Sequence, residues 1–368
     1  MLYGGRSGEH EISLQSAASV IRNLDRERFE IVPIGIDREG RWHLDDGGAM
    51  ALDGAKSLTI FSDAPSVVLP PSAGGEQAAL VPVGGAGDGL GIDVVFPVMH
   101  GPLCEDGSVQ GLCELADVAY VGSGVLASAI GMDKDIAKRL AVAAGIRVVP
   151  WLALKKERWE RGADADEIRQ WVAGHLGYPV FVKPANMGSS VGVHKVRHEG
   201  ELAAALDDAF RFDLKVLIER GINAREIELS VLEDIAGGSP LISIPGEIAP
   251  SHEFYSYEAK YLDENGAALI IPADLEPGQA LQARAMARDV FTALECEGMA
   301  RVDLFLERET GEFFFNEVNT IPGFTTISMY PKLWEASGIS YRDLLTKLIE
   351  LAVARQARKR GLERERGF

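Results

Sequence analysis

The sequence predicts a protein of several domains that combines the α/β and α+β classes and begins with an open parallel sheet. Strand-like and helix-like patterns alternate over the first ~120 residues, as they do in parallel sheets covered by helices. The run from Ile92 to Val98 is apolar throughout, which is typical of a parallel strand buried on both faces. Farther along, Met299 to Asn319 alternates apolar and polar residues on both sides of a glycine turn, which predicts a β-hairpin.

The composition limits the kinds of partner that the protein can have. Its 368 residues are 46% hydrophobic and 25% charged, as in ordinary globular proteins with a sizeable core. The net charge of −18 argues against nucleic acid or an anionic membrane, because both bind basic surfaces. Three cysteines without CxxC spacing, no long apolar run and no signal-peptide pattern indicate a reducing compartment. We therefore expect a cytoplasmic protein with no nucleic-acid and no membrane partner.

We predict three domains, with boundaries at 1–123, 124–219 and 220–368. The first is the open α/β unit, the second is a small α+β unit, and the third carries the hairpin. Pro70 to Gly91 is rich in Gly, Pro and Ala and predicts a surface loop. A very short first strand ends in a glycine turn, and Ser13 then predicts the N-cap of a helix.

Two loops of the first domain are candidate ligand contacts. Glu9 lies in the glycine turn after the first strand, and His100 follows the apolar run that ends at Val98. In open α/β sheets, ligands bind beyond the carboxyl ends of the strands. We therefore expect Glu9 and His100 to lie at the ligand edge of this sheet.

The hairpin carries a candidate metal site. Its geometry sets Asp303 roughly opposite Glu317, with Asn319 on the same face as Glu317. Opposed like charges destabilise a sheet, and a divalent cation would remove that repulsion. Carboxylate and amide oxygens suit Mg²⁺. The alternative is a solvated outer face. Arg301 shares the face of Asp303 and either stabilises developing negative charge or forms a salt bridge.

A glycine and serine loop, Ala185 to Ser190, joins two predicted strands after Lys183. Backbone N–H groups in such a loop can bind phosphate oxygens, and Lys183 adds a positive charge. The pattern is not a Walker A loop, since GxxxxGK[ST] is absent. A plain hairpin turn remains the alternative, and Lys134, at the start of a helix, is either a second phosphate contact or a surface lysine.

Other polar residues stand where strands end. Glu219 closes a short apolar strand and Glu226 follows seven residues later, so each is either a nucleoside contact or a surface acid. Gly323 precedes several hydroxyl residues that end at Ser328. These residues form either an oxyanion and carboxylate site or a simple strand-to-helix turn. The long aromatic segment from Ala249 to Pro272 predicts a functional loop, since its aromatic residues argue against disorder.

Taken together, these segments resemble the D-alanine–D-alanine ligases of the ATP-grasp superfamily. The matching segments follow the family's order and cover nearly the whole chain: GGRSGEHEIS (4–13), HGPLCEDGSVQG (100–111), GSGVLASAIGMDK (122–134), PVFVKPANMGSSVGV (179–193), YSYEAKY (255–261), GMARVDLFL (298–306) and NEVNTIPGFTTIS (316–328). The full first strand that usually precedes the family's glycine turn is missing here. The resemblance implies a three-domain ATP-grasp architecture with ATP between the second and third domains.

The resemblance also implies a role for each candidate residue. Two Mg²⁺ ions, for which Mn²⁺ would substitute, are implied on Asp303, Glu317 and Asn319. The implied nucleotide contacts are Lys134 and Lys183 on the phosphates, Ser189 in the serine loop, Glu226 near the ribose and Glu219 nearby. The implied amino-acid contacts are Glu9 with Ser190 and Tyr261 for the first D-alanine, His100 near it, Ser328 for the second D-alanine's carboxylate, and Arg301 with Gly323 for the tetrahedral intermediate.

The implied activity is ATP-dependent ligation of two D-alanines through an acyl phosphate, for peptidoglycan precursor synthesis. ATP and D-alanine are the implied substrates, and we expect a homodimer. The rival within this class is a D-alanine–D-lactate ligase, in which a different loop replaces YSYEAKY (255–261). An ATP-binding protein without catalysis is a further alternative, and the intact set from Arg301 to Asn319 argues against it.

Overall fold

The computed structural model describes residues 1–45, 56–71, 78–84, 89–161, 165–250 and 267–363. In these ranges the helices are α1 (His10–Asn23), α2 (Ser108–Leu115), α3 (Val125–Met132), α4 (Lys134–Ala143), α5 (Lys156–Glu160), α6 (Ala165–Trp171), α7 (Glu199–Ala209), α8 (Pro277–Ala293), α9 (Met329–Ala336) and α10 (Tyr341–Arg360), with a π-helical turn (Val172–Leu176) after α6. No helix among them is long and apolar enough to cross a membrane.

The strands are mostly short in the N-terminal part and longer towards the C-terminus. Over the same ranges they are β1 (Leu2–Gly4), β2 (Ile34–Ile36), β3 (Trp42–Leu44), β4 (Val67–Val68), β5 (Ala79–Pro82), β6 (Leu90–Gly91), β7 (Val94–Val95), β8 (Ala119–Tyr120), β9 (Trp151–Lys155), β10 (Val180–Pro184), β11 (His194–Val196), β12 (Lys215–Arg220), β13 (Ala224–Leu232), β14 (Leu241–Ile242), β15 (Gly246–Pro250), β16 (Ala267–Ile270), β17 (Met299–Glu307) and β18 (Phe313–Asn319).

The N-terminal sheet is built around β1. β1 pairs in parallel with β2, and Leu2 also forms a parallel bridge with Pro97, just after β7. β7 in turn pairs in parallel with β8. The predicted open parallel sheet is therefore confirmed, with β3 as an antiparallel strand beside β2. The short β1 is central to this sheet, and the glycine turn after it leads into α1.

Two antiparallel sheets follow. The central sheet has the order β11-β10-β12-β9, and α6, the π-helical turn and α7 supply its core. The C-terminal sheet has the order β16-β15-β13-β17-β18, with β14 paired to β13. Helices α3, α4 and α8 pack on it through small and branched side chains. The two sheets lie on either side of the cleft described below.

The last helix returns to the N-terminal core. Leu344, Leu345 and Leu348 of α10 are buried with the apolar side chains of β1, α1 and β8. Arg355, also buried, donates hydrogen bonds of 2.6 Å to the carbonyl oxygens of Tyr120 and Gly122. The domain boundaries at residues 123/124 and 219/220 stay predictions. The contacts of α10 show in addition that 341–360 packs against residues 1–123.

Two local predictions were wrong. Ser13 is not an N-cap: α1 already begins at His10, and the Ser13 hydroxyl accepts from Gly4 N–H and donates to Val98 O. That hydroxyl thereby ties β1 to the chain after β7. The second error concerns Pro70 to Gly91. Its described residues include the antiparallel strands β5 and β6, and Leu80 of β5 is buried in the N-terminal core. Because this segment is rich in glycine, its sequence shows no clear alternation of apolar and polar residues that would have predicted the two strands.

Candidate active site

The hairpin of β17 and β18 has the predicted register. Asp303 lies opposite Glu317 and Arg301 lies opposite Asn319. The register shifts between Asp303 and Leu304, so that the strands form a β-bulge next to the two carboxylates. Bulges of this kind turn side chains to new directions and are common beside functional sites.

Arg301 organises the polar face of this hairpin. Its guanidinium donates two hydrogen bonds to Asp303, of 2.7 and 2.6 Å, and its Nε lies 3.0 Å from Glu228 on β13. Asn319 donates to the same Asp303 carboxylate at 2.9 Å. Burial opposes the charged guanidinium, but the carboxylates of Asp303 and Glu228 outweigh it and raise the pKa of Arg301. The group is therefore a permanent cation.

Lysine–carboxylate pairs line the cleft between the two antiparallel sheets. Lys183 on β10 lies 2.7 Å from Glu219 on β12. Lys134, at the start of α4, lies 3.1 Å from Glu317 and donates to Met187 O at 2.8 Å. Lys134 therefore joins the serine loop to the metal-site hairpin, through a backbone carbonyl on one side and a carboxylate on the other.

A fully buried lysine stands behind this cleft. Lys138 Nζ lies 3.2 Å from Glu219 Oε1, while Lys183 takes the other carboxylate oxygen. Burial raises the pKa of a carboxyl group, but Lys138 and Lys183 outweigh it and hold the pKa of Glu219 below its ordinary value. Burial lowers the pKa of Lys138 itself. Glu219 is therefore ionised at neutral pH.

The cleft encloses a cavity of about 370 Å³, which we call the large cavity. The central sheet contributes Lys183 and Glu219 to its wall, and the C-terminal sheet contributes Glu226 and Asp303. Apolar side chains such as Phe181 and Ile248 also line it. A volume of this size with apolar walls and a few charged groups suits a small-molecule ligand.

The serine loop contacts Glu9 from the N-terminal domain. The hydroxyl of Ser189, the residue before the predicted Glu9 partner Ser190, donates to the Glu9 carboxylate. Both serines have left-handed backbones, with φ of +52° and +57°, which residues other than glycine rarely adopt. A side chain on Gly188 would come within 3.0 Å of Glu9. Ser189 therefore contacts Glu9, and the role predicted for Ser190 stays a prediction.

His100 is buried near the same carboxylate. Its Nδ1 lies 3.5 Å from Glu105, and its Nε2 lies 3.3 Å from the Ser16 hydroxyl. Burial opposes the imidazolium, yet the Glu105 carboxylate outweighs it and raises the pKa of His100. Burial also raises the pKa of Glu105. Both side chains of this buried pair therefore bind a proton more readily than they would in water.

The segment after β18 closes the other side of this site. The Ser328 hydroxyl accepts from Thr325 N–H at 3.0 Å and lies 2.8 Å from the Thr325 hydroxyl. A Cβ on Gly323 would lie 2.8 Å from that Ser328 oxygen, so a side chain there would collide with it. The predicted strand-to-helix turn is present, since Ser328 directly precedes α9, but its side chain makes no capping hydrogen bond.

A second cavity of about 140 Å³, the small cavity, gathers these residues. Glu9, His100, Gly323 and Ser328 line it, and they come from segments far apart in the sequence. Four polar residues line both cavities: Ser189, Glu228, Arg301 and Glu317. The two cavities therefore share a wall, and that wall carries the charged end of the hairpin.

Two family descriptions match this chain. "D-ala D-ala ligase N-terminus" matches residues 1–123, and "D-ala D-ala ligase C-terminus" matches residues 140–350. The chain belongs to the D-alanine–D-alanine ligase family. This membership confirms the family, the ATP-grasp fold and the enzyme class that the sequence motifs predicted.

Individual members of the family are similar over almost their full length. The chain is 56% identical to D-alanine–D-alanine ligase A of Bradyrhizobium diazoefficiens, over 99% of this chain and 97% of the relative. The solved D-alanine–D-alanine ligase of Coxiella burnetii is 36% identical, with a TM-score of 0.83 and coverage of 98% and 94%. The VanG D-Ala:D-Ser ligase of Enterococcus faecalis is 35% identical, with a TM-score of 0.81 and coverage of 95% and 98%.

The hairpin residues fit the magnesium that this family implies. Asp303, Glu317 and Asn319 present carboxylate and amide oxygens at one end of β17 and β18, facing the large and small cavities. Within the described ranges, no group of three or more His, Cys, Asp or Glu side chains is arranged to hold a metal alone. The donors here are two carboxylates and an amide, a set that leaves positions for phosphate oxygens.

Tyr261, which the family resemblance implies as a contact of the first D-alanine, lies outside the described residues. Two described residues were not given a role from the sequence. Glu228 lies opposite Asp303 on β13, and its spacing of two from Glu226 was the available signal. Lys138 follows Lys134 by four positions, on one face of α4, and that spacing was the signal for it.

Proposed function

We propose that this chain joins two D-alanines to form D-alanyl-D-alanine, while ATP is converted to ADP and phosphate. The observation that carries the proposal is the shared wall between the two cavities. A phosphoryl group held in the large cavity and an amino acid held in the small cavity would meet at Arg301 and Glu317. Ligation through an acyl phosphate needs such a meeting point, because the γ-phosphoryl must reach the carboxylate of the first D-alanine.

The large cavity is proposed to hold ATP. Lys134 and Lys183 face the cavity and would pair with the phosphates, assisted by the N–H groups around Ser189. Glu219 and Glu226 line the same cavity and would accept hydrogen bonds from the nucleoside. Asp303, Glu317 and Asn319 would hold two Mg²⁺ ions, which neutralise phosphate charge when they are bound.

The small cavity is proposed to hold the two amino acids. Glu9, fixed by Ser189, would bind the ammonium of the first D-alanine, with His100 beside it. The carboxylate oxygen of this D-alanine attacks the γ-phosphorus, the bond to the β-phosphate oxygen breaks, and ADP is released from the acyl phosphate. Tyr261, in the predicted loop 249–272, is proposed to complete the Glu9 contact. This loop would act as a lid that excludes water, since water would hydrolyse the acyl phosphate.

The second D-alanine is proposed to bind with its carboxylate at Ser328. Its amine, once deprotonated, attacks the acyl carbon, and the carbonyl oxygen becomes negatively charged. Arg301, held by Asp303 and Glu228, would stabilise this oxyanion together with the Gly323 N–H. Phosphate then leaves as the peptide bond forms.

The choice of the second substrate can be tested directly. ADP release should be measured with D-alanine alone and with D-alanine plus D-lactate, D-serine or L-alanine, followed by mass analysis of the products. We expect D-alanyl-D-alanine to be the main product, because the relative with 56% identity is named for it. A dominant depsipeptide would instead establish the D-lactate ligase, and ATP turnover with no ligation product would overturn the proposal.

The expected homodimer and cytoplasmic location are further proposals. Sedimentation at micromolar concentration tests the first, with a dimer mass as the expected result. Cell fractionation tests the second, and recovery together with a cytoplasmic marker is expected.

A further inference from the structure

Charged side chains line the large cavity, and a further charged residue, Lys138, lies behind its wall without access to a ligand. Lys138 is completely buried, with 0% of its side chain exposed. Among the described residues around the large cavity, Lys183 and Glu219 form part of the wall and Lys138 does not. Lys138 therefore cannot touch a nucleotide and can act only through the residues it contacts.

The contact that Lys138 makes determines the charge that the cavity presents. Lys138 Nζ lies 3.2 Å from Glu219 Oε1, and Lys183 Nζ lies 2.7 Å from Glu219 Oε2. Two cations therefore share one carboxylate in a site where charge is weakly screened. If Lys138 were absent, Glu219 and Lys183 would form a neutral pair. With Lys138 present, one positive charge remains for a ligand.

We propose that Lys138 is a positioning residue for nucleotide binding, which supplies the counter-charge of Glu219 and so leaves the charge of Lys183 available to the nucleotide phosphates. Glu219 is held in one orientation by a cation on each oxygen, and Lys183 is aligned along the cavity wall. The inference rests on the proposed nucleotide site in the large cavity, and the experiment below distinguishes the two.

The position of Lys138 in α4 is consistent with this role. Lys134 begins the helix and faces the cavity directly, and Lys138 lies one turn later on the same face. The other charged neighbours are accounted for: Glu317 pairs with Lys134, and Lys215 pairs with Asp133 and Asp135 at the start of the helix. Glu219 is therefore the carboxylate with which the Lys138 ammonium pairs.

The test compares ADP with adenosine, because only ADP carries phosphates. Both are titrated by calorimetry, at one fixed Mg²⁺ concentration, into the wild-type chain and into Lys138→Met. We expect ADP to bind about tenfold more weakly to the variant, the order expected when one charge near the phosphates is lost. Adenosine should lose clearly less affinity than ADP, because it has no phosphates. Equal weakening of both ligands would indicate a merely structural role, and unchanged ADP binding would also overturn the inference.

Further variants keep the test decisive. Lys138→Gln keeps a hydrogen-bond donor for Glu219 without the charge, so it should show the same selective loss if Lys138→Met fails to fold. Lys138→Arg restores the charge and should recover ADP binding relative to Lys138→Gln. The exposed Lys155, changed to Met, is the matched control for loss of one positive charge at the surface.

Lys183→Met separates this inference from the proposed site. It should weaken ADP binding if the large cavity holds the phosphates. No loss with Lys183→Met would reject the nucleotide site itself. A loss with Lys183→Met and none with the Lys138 variants would reject the role of Lys138 alone.

Discussion

The two cavities are built in different ways. The large cavity lies between two antiparallel sheets, and its charged residues come from neighbouring strands and the start of one helix. The small cavity is assembled from the first glycine turn, the chain after β7, the serine loop and the segment after β18. Strand register places the charged residues within each wall of the large cavity, whereas the small cavity depends on loops from several parts of the chain. Changes at the shared wall should therefore affect the reaction more than changes on either side alone.

The largest effect is expected at the shared wall, for Glu317→Gln. The hairpin would lose a proposed metal ligand and the partner of Lys134, so kcat should fall by about 1,000-fold, equivalent to roughly 4 kcal/mol. Phosphate release from ATP and D-alanine measures it. Glu312→Gln, at the more exposed residue just before the same strand, is the control and should remain near wild type. Near-normal turnover of Glu317→Gln would refute the metal assignment.

The next effect concerns Arg301→Lys. A lysine keeps the charge but cannot make the paired hydrogen bonds to Asp303 or reach Glu228 in the same geometry. We expect kcat to fall about 100-fold with little change in the KM for either substrate, because an oxyanion contact acts in the transition state. Steady-state kinetics test this, with the exposed Arg147→Lys as control. A change confined to KM would instead place Arg301 in ground-state binding.

A smaller effect, mainly on amino-acid binding, is expected for the hydroxyl of Ser189 at the shared wall. Ser189→Ala removes the hydroxyl that fixes Glu9, so the KM for D-alanine should rise about tenfold while ADP affinity stays the same. Ser190→Ala is the matched neighbour and should change that KM less. A larger rise in the KM for D-alanine with Ser190→Ala than with Ser189→Ala would instead support the contact between Ser190 and Glu9 that the family resemblance implies.

The smallest effect lies far from both cavities. Glu114 accepts from Tyr120 at 2.7 Å and pairs with Lys359 at the end of α10. Burial opposes the carboxylate, but Lys359 and Tyr120 outweigh it and lower the pKa of Glu114. The stability that the ionised Glu114 gives to the fold is therefore fully present above the ordinary pKa of a carboxyl group. It is lost as the pH falls through the lowered pKa of Glu114.

Urea unfolding of wild type and Glu114→Gln between pH 7 and pH 3 measures this contribution. The variant should be less stable at pH 7 by at most about 1 kcal/mol, and the difference should disappear in acid. Catalysis should not change. A stability difference that grows as the pH falls would contradict the assigned sign.

The hairpin could be predicted from the sequence because its information is local. Alternation along β17 and β18 and a short turn fix the register, and so place Asp303 opposite Glu317. The contact between Ser189 and Glu9 could not be predicted in this way. Two adjacent serines have the same chemistry, and only the left-handed backbone of the loop decides which one faces the N-terminal domain.

Burial of charge was also not predictable. On a helix such as α4, Lys138 has the pattern of a solvated side chain, and only the packing of β12 beside it supplies a buried carboxylate partner. The same holds for Arg355 on α10, whose partners are carbonyl oxygens 233 and 235 positions earlier in the chain. Long-range pairing of this kind leaves no periodic signal in one sequence.

The return of α10 to the N-terminal core also bears on how the chain folds during synthesis. Domains commonly fold in order as they emerge from the ribosome. Here the apolar surface of β1, α1 and β8 is covered in part by Leu344, Leu345 and Leu348, which are translated near the end. The first unit to be made should therefore be among the last to be completed, and its exposed surface should make it a target for chaperones until α10 is released.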